Sequence, residues 1–456
     1  MHVTGNSAID GAAFNSGQLT VDALKTLTLD GTTVTGTTVT DSGTVNVDAT
    51  KTLKLSGVAL SGGAITNAGT IEITGTGSIN DDIFSNHQLT IDANQILTLD
   101  GTTITGGTVT DTGTVAVSSG KTLKLSGVAL SGGAITNAGT IEITGSGSIN
   151  SDIFTNTQLT VDSGQVLTLD GTTITGGTVT DTGTVAVSSG KTLKLSGVAL
   201  SGGAISNLGT IEITGTGSIN NDSFANAQLT VDSGQILTLD GTSITGGSIT
   251  DNGTVHVDAG NTLKLSGVAL SGGAISDAGT IEITGDSSIS NDQLANGQLT
   301  VDAGKTLTLQ DGTTVTGGTL ANSGTVQIES SLGATLDGVS VTGSGAIQID
   351  VPVLASTLVL DDGTVITGGT LTVGSAGTLA VKSAKGATLN NVGVTNNHLI
   401  EVIAASVLTL DAGTSVANSG GTVAVDGTAT LTLDSASVTG GTITDAGTVH
   451  VTGSRS

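Results

Sequence analysis

The stretch LTLDGTTITGGTVTDTGTV occupies residues 97–115 and is repeated, letter for letter, at residues 167–185. Apolar and polar residues alternate within it, and Gly, Asp and Thr separate the short apolar runs. Such an alternation with glycine punctuation is typical of short β-strands joined by tight turns. Thr, Val and Ile are β-branched and favour strands. The residues that we predict to point into a core are Leu97, Leu99, Ile104, Val109 and Val115.

The chain is built from a 70-residue repeat. Matching text begins at Gln18, Gln88, Gln158, Gln228 and Gln298. A finer rhythm divides each repeat, because similar apolar pairs begin at Leu19, Val45, Ile71 and Leu89. These positions predict three related coils in each repeat, with lengths of twenty-six, twenty-six and eighteen, as in 19–44, 45–70 and 71–88.

Strands within one 70-residue unit resemble each other in sequence, whereas the strands of a sandwich domain differ from one another. This pattern therefore favours a solenoid over tandem sandwich domains. We therefore expect an all-β chain folded as a parallel β-solenoid (β-helix) of stacked 18- to 27-residue coils, with right-handed coiling. A lone coil that buries about seven aliphatic side chains gains about 2 kcal/mol from each, well short of an ordering cost of about 1.5 kcal/mol per residue. Stacking between coils must supply the rest.

The repeats are regular over residues 1–325 and less regular over residues 326–452, where we expect the same solenoid to continue. The sole proline, Pro352, lies in the less regular part. Residues 453–456, which read GSRS, resemble a cloning scar, and we expect the chain to be a fragment of a longer protein.

The composition excludes several classes of protein. The chain has 456 residues, with 12 basic and 38 acidic side chains, and its net charge of −26 would repel a nucleic acid. No apolar run reaches the length of about 18 residues that a membrane-spanning helix needs, and no signal-peptide pattern follows Met1. Cysteine is absent, which fits an exported bacterial protein without thiol chemistry.

No catalytic motif is present. The five histidines share no metal-ligand spacing and are expected to face solvent: His2, His87, His256, His398 and His450. The sequence contains no nucleophile elbow, phosphate-binding loop or zinc motif. Solenoid enzymes that cleave acidic polysaccharides use clustered charges and aromatic sugar platforms, whereas this chain has no Trp or Tyr and one arginine, Arg455. We therefore predict no catalytic, cofactor-binding or metal-ligating residue, and a polysaccharide-active β-helix enzyme is the third alternative.

A calcium-binding surface is one form of the main alternative. Calcium takes six to eight oxygen ligands, and the solenoid repeat that supplies them reads G-G-x-G-x-D. Residues 106–111 read GGTVTD and lack the third glycine. The acidic pair Asp81-Asp82 recurs as Ser151-Asp152, Asn221-Asp222 and Asn291-Asp292, so only its second carboxylate persists. We expect no dedicated calcium site and at most weak calcium binding at the surface.

An ice-binding surface is the other form of this alternative, because flat arrays of threonine on solenoids can order water. Residues 103–105 and 108–110 read TIT and TVT. If a coil has the longer of the predicted lengths, residues 103–105 stack on residues 127–129. These read GVA, so they interrupt the threonine array.

Three further features carry structural predictions. In turns such as residues 111–113 (DTG) and 137–139 (NAG), we expect the Asp or Asn side chain to form a hydrogen bond with the backbone. We expect the glycine to adopt a positive φ. Lysines of the text KTLKL, such as Lys54, are expected to form weak surface ion pairs with acids such as Glu72. The phenylalanines, which recur once per 70-residue repeat, are expected to fill one corner of the solenoid: Phe14, Phe84, Phe154 and Phe224.

The text NAGTIEITG at residues 67–75 resembles the repetitive stalks of large secreted bacterial surface proteins, including haemagglutinin-like and autotransporter-like adhesins. The resemblance covers nearly the whole chain. It implies a non-catalytic structural repeat segment of an exported protein, either secreted or at the bacterial cell surface, that acts as a rigid spacer or adhesin stalk. We expect no cofactor, no nucleic-acid partner and no membrane insertion of this segment. Unpaired strand edges predict self-association end to end, and no cell-surface or matrix partner is indicated.

Overall fold

In a computed structural model, the chain is all-β and folds as a parallel β-solenoid of about 22 coils of roughly 20 residues. The structure describes residues 1–350 and 355–453. These two ranges contain no helix long and apolar enough to cross a membrane. The predicted all-β parallel β-solenoid is confirmed. Pro352 and residues 454–456 of the predicted scar lie outside the described residues. The contacts divide the chain into two compact units, Met1–Ala225 and Asn226–Ser456, which we call unit 1 and unit 2.

Unit 1 is built of short strands separated by turns of one to a few residues. Its strands are β1 (His2–Val3), β2 (Ser7–Asp10), β3 (Ala13–Asn15), β4 (Gln18–Val21), β5 (Thr26–Asp30), β6 (Thr33–Thr35), β7 (Thr38–Asp41), β8 (Thr44–Val47), β9 (Thr52–Ser56), β10 (Ala59–Asn67), β11 (Thr70–Ile73), β12 (Gly77–Ser85), β13 (Gln88–Ile91), β14 (Ile96–Asp100), β15 (Thr103–Thr105), β16 (Thr108–Asp111), β17 (Thr114–Val117), β18 (Thr122–Ser126), β19 (Ala129–Asn137), β20 (Thr140–Gly145), β21 (Gly147–Thr155), β22 (Gln158–Val161), β23 (Val166–Thr168), β24 (Thr173–Thr175), β25 (Thr178–Asp181), β26 (Thr184–Val187), β27 (Thr192–Ser196), β28 (Ala199–Asn207), β29 (Thr210–Gly215) and β30 (Gly217–Ala225).

Unit 2 is built in the same way. Its strands are β31 (Gln228–Val231), β32 (Ile236–Thr238), β33 (Ser243–Thr245), β34 (Ser248–Asp251), β35 (Thr254–Val257), β36 (Thr262–Ser266), β37 (Ala269–Ser271), β38 (Ala274–Asp277), β39 (Thr280–Ile283), β40 (Ser287–Ser290), β41 (Gln293–Ala295), β42 (Gln298–Val301), β43 (Thr306–Gln310), β44 (Thr313–Thr316), β45 (Thr319–Asn322), β46 (Thr325–Ile328), β47 (Ala334–Asp337), β48 (Ser340–Thr342), β49 (Ala346–Ile349), β50 (Thr357–Asp361), β51 (Thr364–Thr367), β52 (Thr370–Val373), β53 (Thr378–Lys382), β54 (Ala387–Asn390), β55 (Gly393–Asn396), β56 (Leu399–Val402), β57 (Val407–Asp411), β58 (Ser415–Ala417), β59 (Thr422–Val425), β60 (Thr430–Asp434), β61 (Ser437–Thr439), β62 (Thr442–Asp445) and β63 (Thr448–Thr452).

Each coil consists of three strands and is shorter than the longer coils predicted from the sequence. Leu19 in β4 lies against Val39 in β7, and Val39 lies against Leu60 in β10, so each of these steps advances the chain by one coil. The predicted division of each repeat into two longer coils and one shorter coil is therefore wrong. Val45 in β8 lies against Leu27 in β5, on a different face from Leu19. The predicted coil starts at Leu19 and Val45 belong to strands that are similar in sequence but lie on different faces of the coil.

A 70-residue repeat is not a whole number of coils. β10 and β12 each contribute to two faces, because their first and last residues pair with different strands. One repeat, from β4 through β12, thus contains eleven strand segments, which at three segments per coil make three and two-thirds coils. Strands with the same sequence therefore lie on different faces of the coil in successive repeats. β5 (TLTLD) pairs with β2 and β8, whereas its counterpart β14 (ILTLD) pairs with β12 and β17.

The phenylalanines follow this rotation and do not fill one corner. Phe14 lies in the column of β6 and β9, Phe84 in the column of β15 and β18, and Phe154 in the column of β17 and β19. These columns belong to three different faces of unit 1. The prediction of a shared corner is wrong because it assumed that one repeat corresponds to a whole number of coils.

The core consists of stacked Val, Leu and Ile side chains. All five residues of the opening stretch that were predicted to point inward are buried: Leu97, Leu99, Ile104, Val109 and Val115. Burial of apolar surface supplies about 25 cal/mol per Å². Because each side chain packs on one from the next coil, stacking provides the stabilisation that a lone coil lacks.

The turn at residues 111–113 shows why a glycine ends the text TDTG. The N–H of Gly113 donates to Oδ1 of Asp111 at 2.7 Å, which confirms the predicted side-chain bond to the backbone. The predicted positive φ is wrong, since Gly113 does not adopt the left-handed conformation. A Cβ at Gly113 would lie 2.5 Å from the carbonyl oxygen of Asp92 and closer still to that of Gln95, both in the preceding coil. Glycine is therefore required by close stacking.

Candidate functional site

Buried aspartates recur in pairs, one pair in each of the first four repeats. The first member of a pair ends a strand, and the second follows it at the same distance along the chain in every repeat. The pairs, which we call the carboxyl pairs, are Asp41 and Asp82, Asp111 and Asp152, Asp181 and Asp222, and Asp251 and Asp292. Each of the eight residues is at most 2% exposed.

The second pair shows how the strands position the two carboxyl groups. Asp111 ends β16, and Asp152 lies in β21, two coils later. The coil between them carries Gly132-Gly133 in β19, and Gly133 is in register with Asp152. A Cβ on Gly133 would lie 2.8 Å from Cγ of Asp111. The glycines thus keep the corner between the two carboxyl groups free of other side-chain atoms.

The second member of each pair has no hydrogen-bond partner. Both carboxyl oxygens are buried and unpartnered in Asp82, Asp152, Asp222 and Asp292. The first members accept at least one hydrogen bond. In Asp111, Oδ1 accepts the N–H of Gly113, whereas Oδ2 is unpartnered. Burying a polar group without a hydrogen bond costs several kcal/mol, and burying an unpaired charge costs far more.

The environment of the pairs favours protonated carboxyl groups. Burial, and secondly the negative charge of Asp111, raises the pKa of Asp152 from 3.8 to about 7. Burial raises the pKa of Asp111 to about 6, although the nearby N–H groups of Gly113, Val115 and Ala134 lower it. Burial likewise raises the pKa of the other second members, to about 7 for Asp82, about 7 for Asp222 and about 8 for Asp292.

The groups around the pairs suit a proton better than a metal ion. In residues 1–350 and 355–453, no three His, Cys, Asp or Glu side chains are grouped so that they could hold a metal. The backbone groups that approach Asp111 are N–H donors, as in Gly113 and Val115, whereas Ca²⁺ requires six to eight oxygens. The pairs can therefore bind and release protons, and this is the chemistry that their surroundings support.

Several of these aspartates stand out in the sequence, but their pairing does not follow from it directly. Asp81-Asp82 was considered for weak calcium binding at the surface, whereas the structure exposes Asp81 and buries Asp82 to 1% exposure. The constant spacing of the two aspartates, with a Gly-Gly step between them, is the signal that could have revealed the pairs.

The predicted ion pairs between lysine and glutamate are confirmed. Nζ of Lys54 lies 2.9 Å from Oε2 of Glu72, and the two residues are in register on β9 and β11. The equivalent pairs are Lys124–Glu142, Lys194–Glu212 and Lys264–Glu282. The lysine side chains are about half exposed, so solvent screens each pair.

Removing one of these ion pairs is expected to have little effect. We expect Lys124→Ala to lower the free energy of unfolding by less than about 1 kcal/mol, because exposed pairs contribute about 0 to 1 kcal/mol. Urea denaturation with and without added salt would measure this. A loss well above that range would show that the lysine stabilises the coil in a way other than through its ion pair.

The predicted solvent exposure of the histidines holds for His2, His87, His398 and His450, and His256 is half-buried. Nε2 of His256 lies 2.8 Å from Oδ1 of Asp258. A shallow surface depression of about 420 Å³ lies in unit 2, and Asp286 is its only ionisable lining residue.

Comparisons with known proteins give a similarity to a solved structure. No family model and no curated protein matches the chain. Among solved structures, the chain is similar to one described as the crystal structure of a TibC-catalyzed hyper-glycosylated TibA55-350 fragment. The identity is 14%, the alignment covers 97% of this chain and 100% of the fragment, and the TM-score is 0.13.

Proposed function

We propose that the chain is a non-catalytic structural repeat segment that acts as a rigid spacer or adhesin stalk in an exported bacterial surface protein. The observation that carries this proposal is the interchangeability of the three faces. Strands of equivalent sequence lie on one face in one repeat and on another face in the next, as β5 and β14 do. Repeats can therefore be added or removed without assigning a particular task to any one face, which suits an element whose length is its function.

The same rotation argues against the ice-binding alternative. A flat binding surface needs the same residues on the same face in successive coils. Thr103 and Thr105 in β15 stack on Lys124 and Ser126 in β18, where a threonine array would continue with threonines. The predicted neighbour, residues 127–129, was wrong because of the coil length, but the array is interrupted all the same. The equivalent threonines of the next repeat, in β24, lie on another face.

The proposed location at the cell surface is supported by the sequence. The text at residues 67–75 resembles the stalks of secreted adhesins, and the chain has no cysteine. In the structure, residues 70–73 of this text form β11, which pairs with β9 and β13 in the solenoid. The resemblance therefore concerns residues that build the stack, as a stalk requires.

Deleting one complete repeat tests the proposal. We expect the chain without residues 88–157 to fold, because the join places β22 where its copy β13 stood. The stack of unit 1 should shorten by about 18 Å, from three and two-thirds coils at about 4.8 Å each. Circular dichroism would report the β content, and small-angle X-ray scattering would report the change in length.

A deletion of half a repeat, residues 88–122, is the matched control, because it joins strands that are not equivalent and should impair folding. Failure of the whole-repeat deletion to fold would contradict the interchangeability of the faces. A melting temperature raised strongly by millimolar Ca²⁺ would favour the calcium-binding alternative instead, since a ligand that binds the folded state stabilises it.

A further inference from the structure

The carboxyl pairs stand out beside the asparagines of unit 1, whose buried side-chain amides are hydrogen-bonded, as Asn137 and Asn156 show. Asn137 occupies the same kind of turn as Asp111, and its Oδ1 accepts the N–H of Gly139 at 3.1 Å. Its Nδ2 donates to Oδ1 of Asn156 at 3.0 Å, and Nδ2 of Asn156 donates to the carbonyl oxygen of Thr178 at 2.9 Å. An amide can donate and accept, so this ladder of asparagines is fully bonded.

An ionised aspartate can only accept, and the corner between Asp111 and Asp152 offers it too few donors. The N–H groups of Gly132 and Asn150 approach Asp152 and lower its pKa, but neither forms a hydrogen bond with it. A protonated carboxyl group has an O–H that can donate, and Oδ2 of Asp111 is an unpartnered acceptor in the same corner. A bound proton therefore supplies the donor that this corner lacks.

We propose that the four carboxyl pairs are proton-binding sites, so that each of these repeats takes up protons when it folds and loses stability when the protons dissociate. The geometry supports this in every pair, because the second aspartate is at most 2% exposed and has no hydrogen-bond partner for either oxygen. Within unit 1, three pairs follow β7, β16 and β25, which belong to three different faces, so the three corners of the coil each receive one site.

Few other ionisable groups face these sites. In the second pair, the coil between the two aspartates presents Gly132 and Gly133, and the following coil presents Thr172, whose hydroxyl donates to the carbonyl oxygen of Ile149. Asp170, two residues before Thr172, accepts the N–H of Ser188. In the first pair, the adjacent Asp81 adds a third negative charge that raises the pKa of Asp82 further. Among the described residues, no Lys or His forms an ion pair with any of the eight carboxyl groups.

The direction of the pH dependence follows from the raised pKa values. The second members titrate near 3.8 when unfolded and at about 7 to 8 when folded. Between these values the folded chain holds more protons than the unfolded chain, so its stability falls as the pH rises. The stabilisation is fully present below about pH 4 and is lost by about pH 8.

The experiment is to measure protons taken up on folding at pH 7, from the dependence of urea unfolding on pH between 5 and 9. We expect an uptake of about two to three protons by the whole chain at pH 7. The variant with Asp82→Asn, Asp152→Asn, Asp222→Asn and Asp292→Asn should lose most of this uptake. The matched control replaces Asp92, Asp162, Asp232 and Asp302, partly exposed aspartates that also recur once per repeat, by Asn and should keep it.

A second measurement needs no variant and keeps the test decisive if the fourfold variant fails to fold. Infrared spectroscopy of the folded chain at pH 7 should show the band of protonated carboxyl groups, and this band should disappear above about pH 9. A missing band at pH 7, or unchanged proton uptake in the Asn variant, would overturn the proposal. So would binding of four Ca²⁺ ions at pH 7 that the Asn variant abolishes, because the pairs would then hold a cation.

Discussion

Replacing Phe154 by alanine is expected to destabilise unit 1 by about 3 to 5 kcal/mol, the usual cost of removing a large buried aromatic side chain. Phe154 is fully buried in β21 and lies between Ile135 in β19 and Ile174 in β24. Both neighbours would lose packing partners, and the parallel ladders that hold the backbone at fixed spacing would prevent the coils from closing the cavity. Urea denaturation followed by circular dichroism would measure the loss.

The chain itself supplies the control for this variant. Leu294 occupies the equivalent position of the repeat two repeats later and is 1% exposed, so this position accepts leucine without a change of fold. We expect Phe154→Leu to cost about 1 kcal/mol, because most of the cavity is then filled. A similar loss in both variants would show that the aromatic ring itself, and not its volume, stabilises the coil.

The effect of Phe154→Ala should also be local. In a solenoid each coil contacts only its neighbours, so stability is approximately a sum of local terms. Amide hydrogen exchange should therefore accelerate in β19, β21 and β24 and remain unchanged in β4 and β7. A uniform acceleration throughout unit 1 would indicate that unit 1 unfolds as one cooperative body and not coil by coil.

The inward residues of the repeat could be predicted because alternation is a local property. Leu97 and Leu99 point inward as expected, since successive side chains of a strand leave on opposite faces. The coil length could not be obtained in the same way. β4 and β8 have similar sequences but lie on different faces, and only the pairing of Leu19 with Val39 reveals the true step from one coil to the next.

The second members of the carboxyl pairs were missed because the alternation changes its phase at the corners. In β12, Ile79 points inward, and a strict period of two would also bury Asp81. Asp81 instead adopts a left-handed conformation with a φ of 58°, which turns its side chain outward and places Asp82 inside. A non-glycine residue rarely adopts a positive φ, so the sequence gives little warning of this change. The same turn occurs at Ser151, ahead of Asp152.

Replacing Gly113 by alanine adds a single methyl group, and we expect it to lower the free energy of unfolding by about 3 kcal/mol. Overpacking of a closely packed site typically costs about 1 to 3 kcal/mol, and a weakened buried hydrogen bond adds about 1 kcal/mol. The new Cβ would overlap the carbonyl oxygens of Asp92 and Gln95 in the preceding coil. The turn could make room only by moving away, which would strain the bond in which the N–H of Thr114 donates to the carbonyl oxygen of Gln95 at 2.9 Å. Urea denaturation would measure the sum.

Two other glycines separate the effect of the contact from that of backbone conformation. Gly120→Ala meets no atom within 4 Å but has a φ of 73°, so it should cost about 1 kcal/mol from backbone strain alone. Gly427→Ala has neither a positive φ nor an atom closer than 3.9 Å and should change the stability by less than about 0.5 kcal/mol. If Gly113→Ala costs no more than Gly120→Ala, the coils can separate slightly at little cost. The spacing between coils would then be set by the strand ladders, and the turn glycines would not be needed for close stacking.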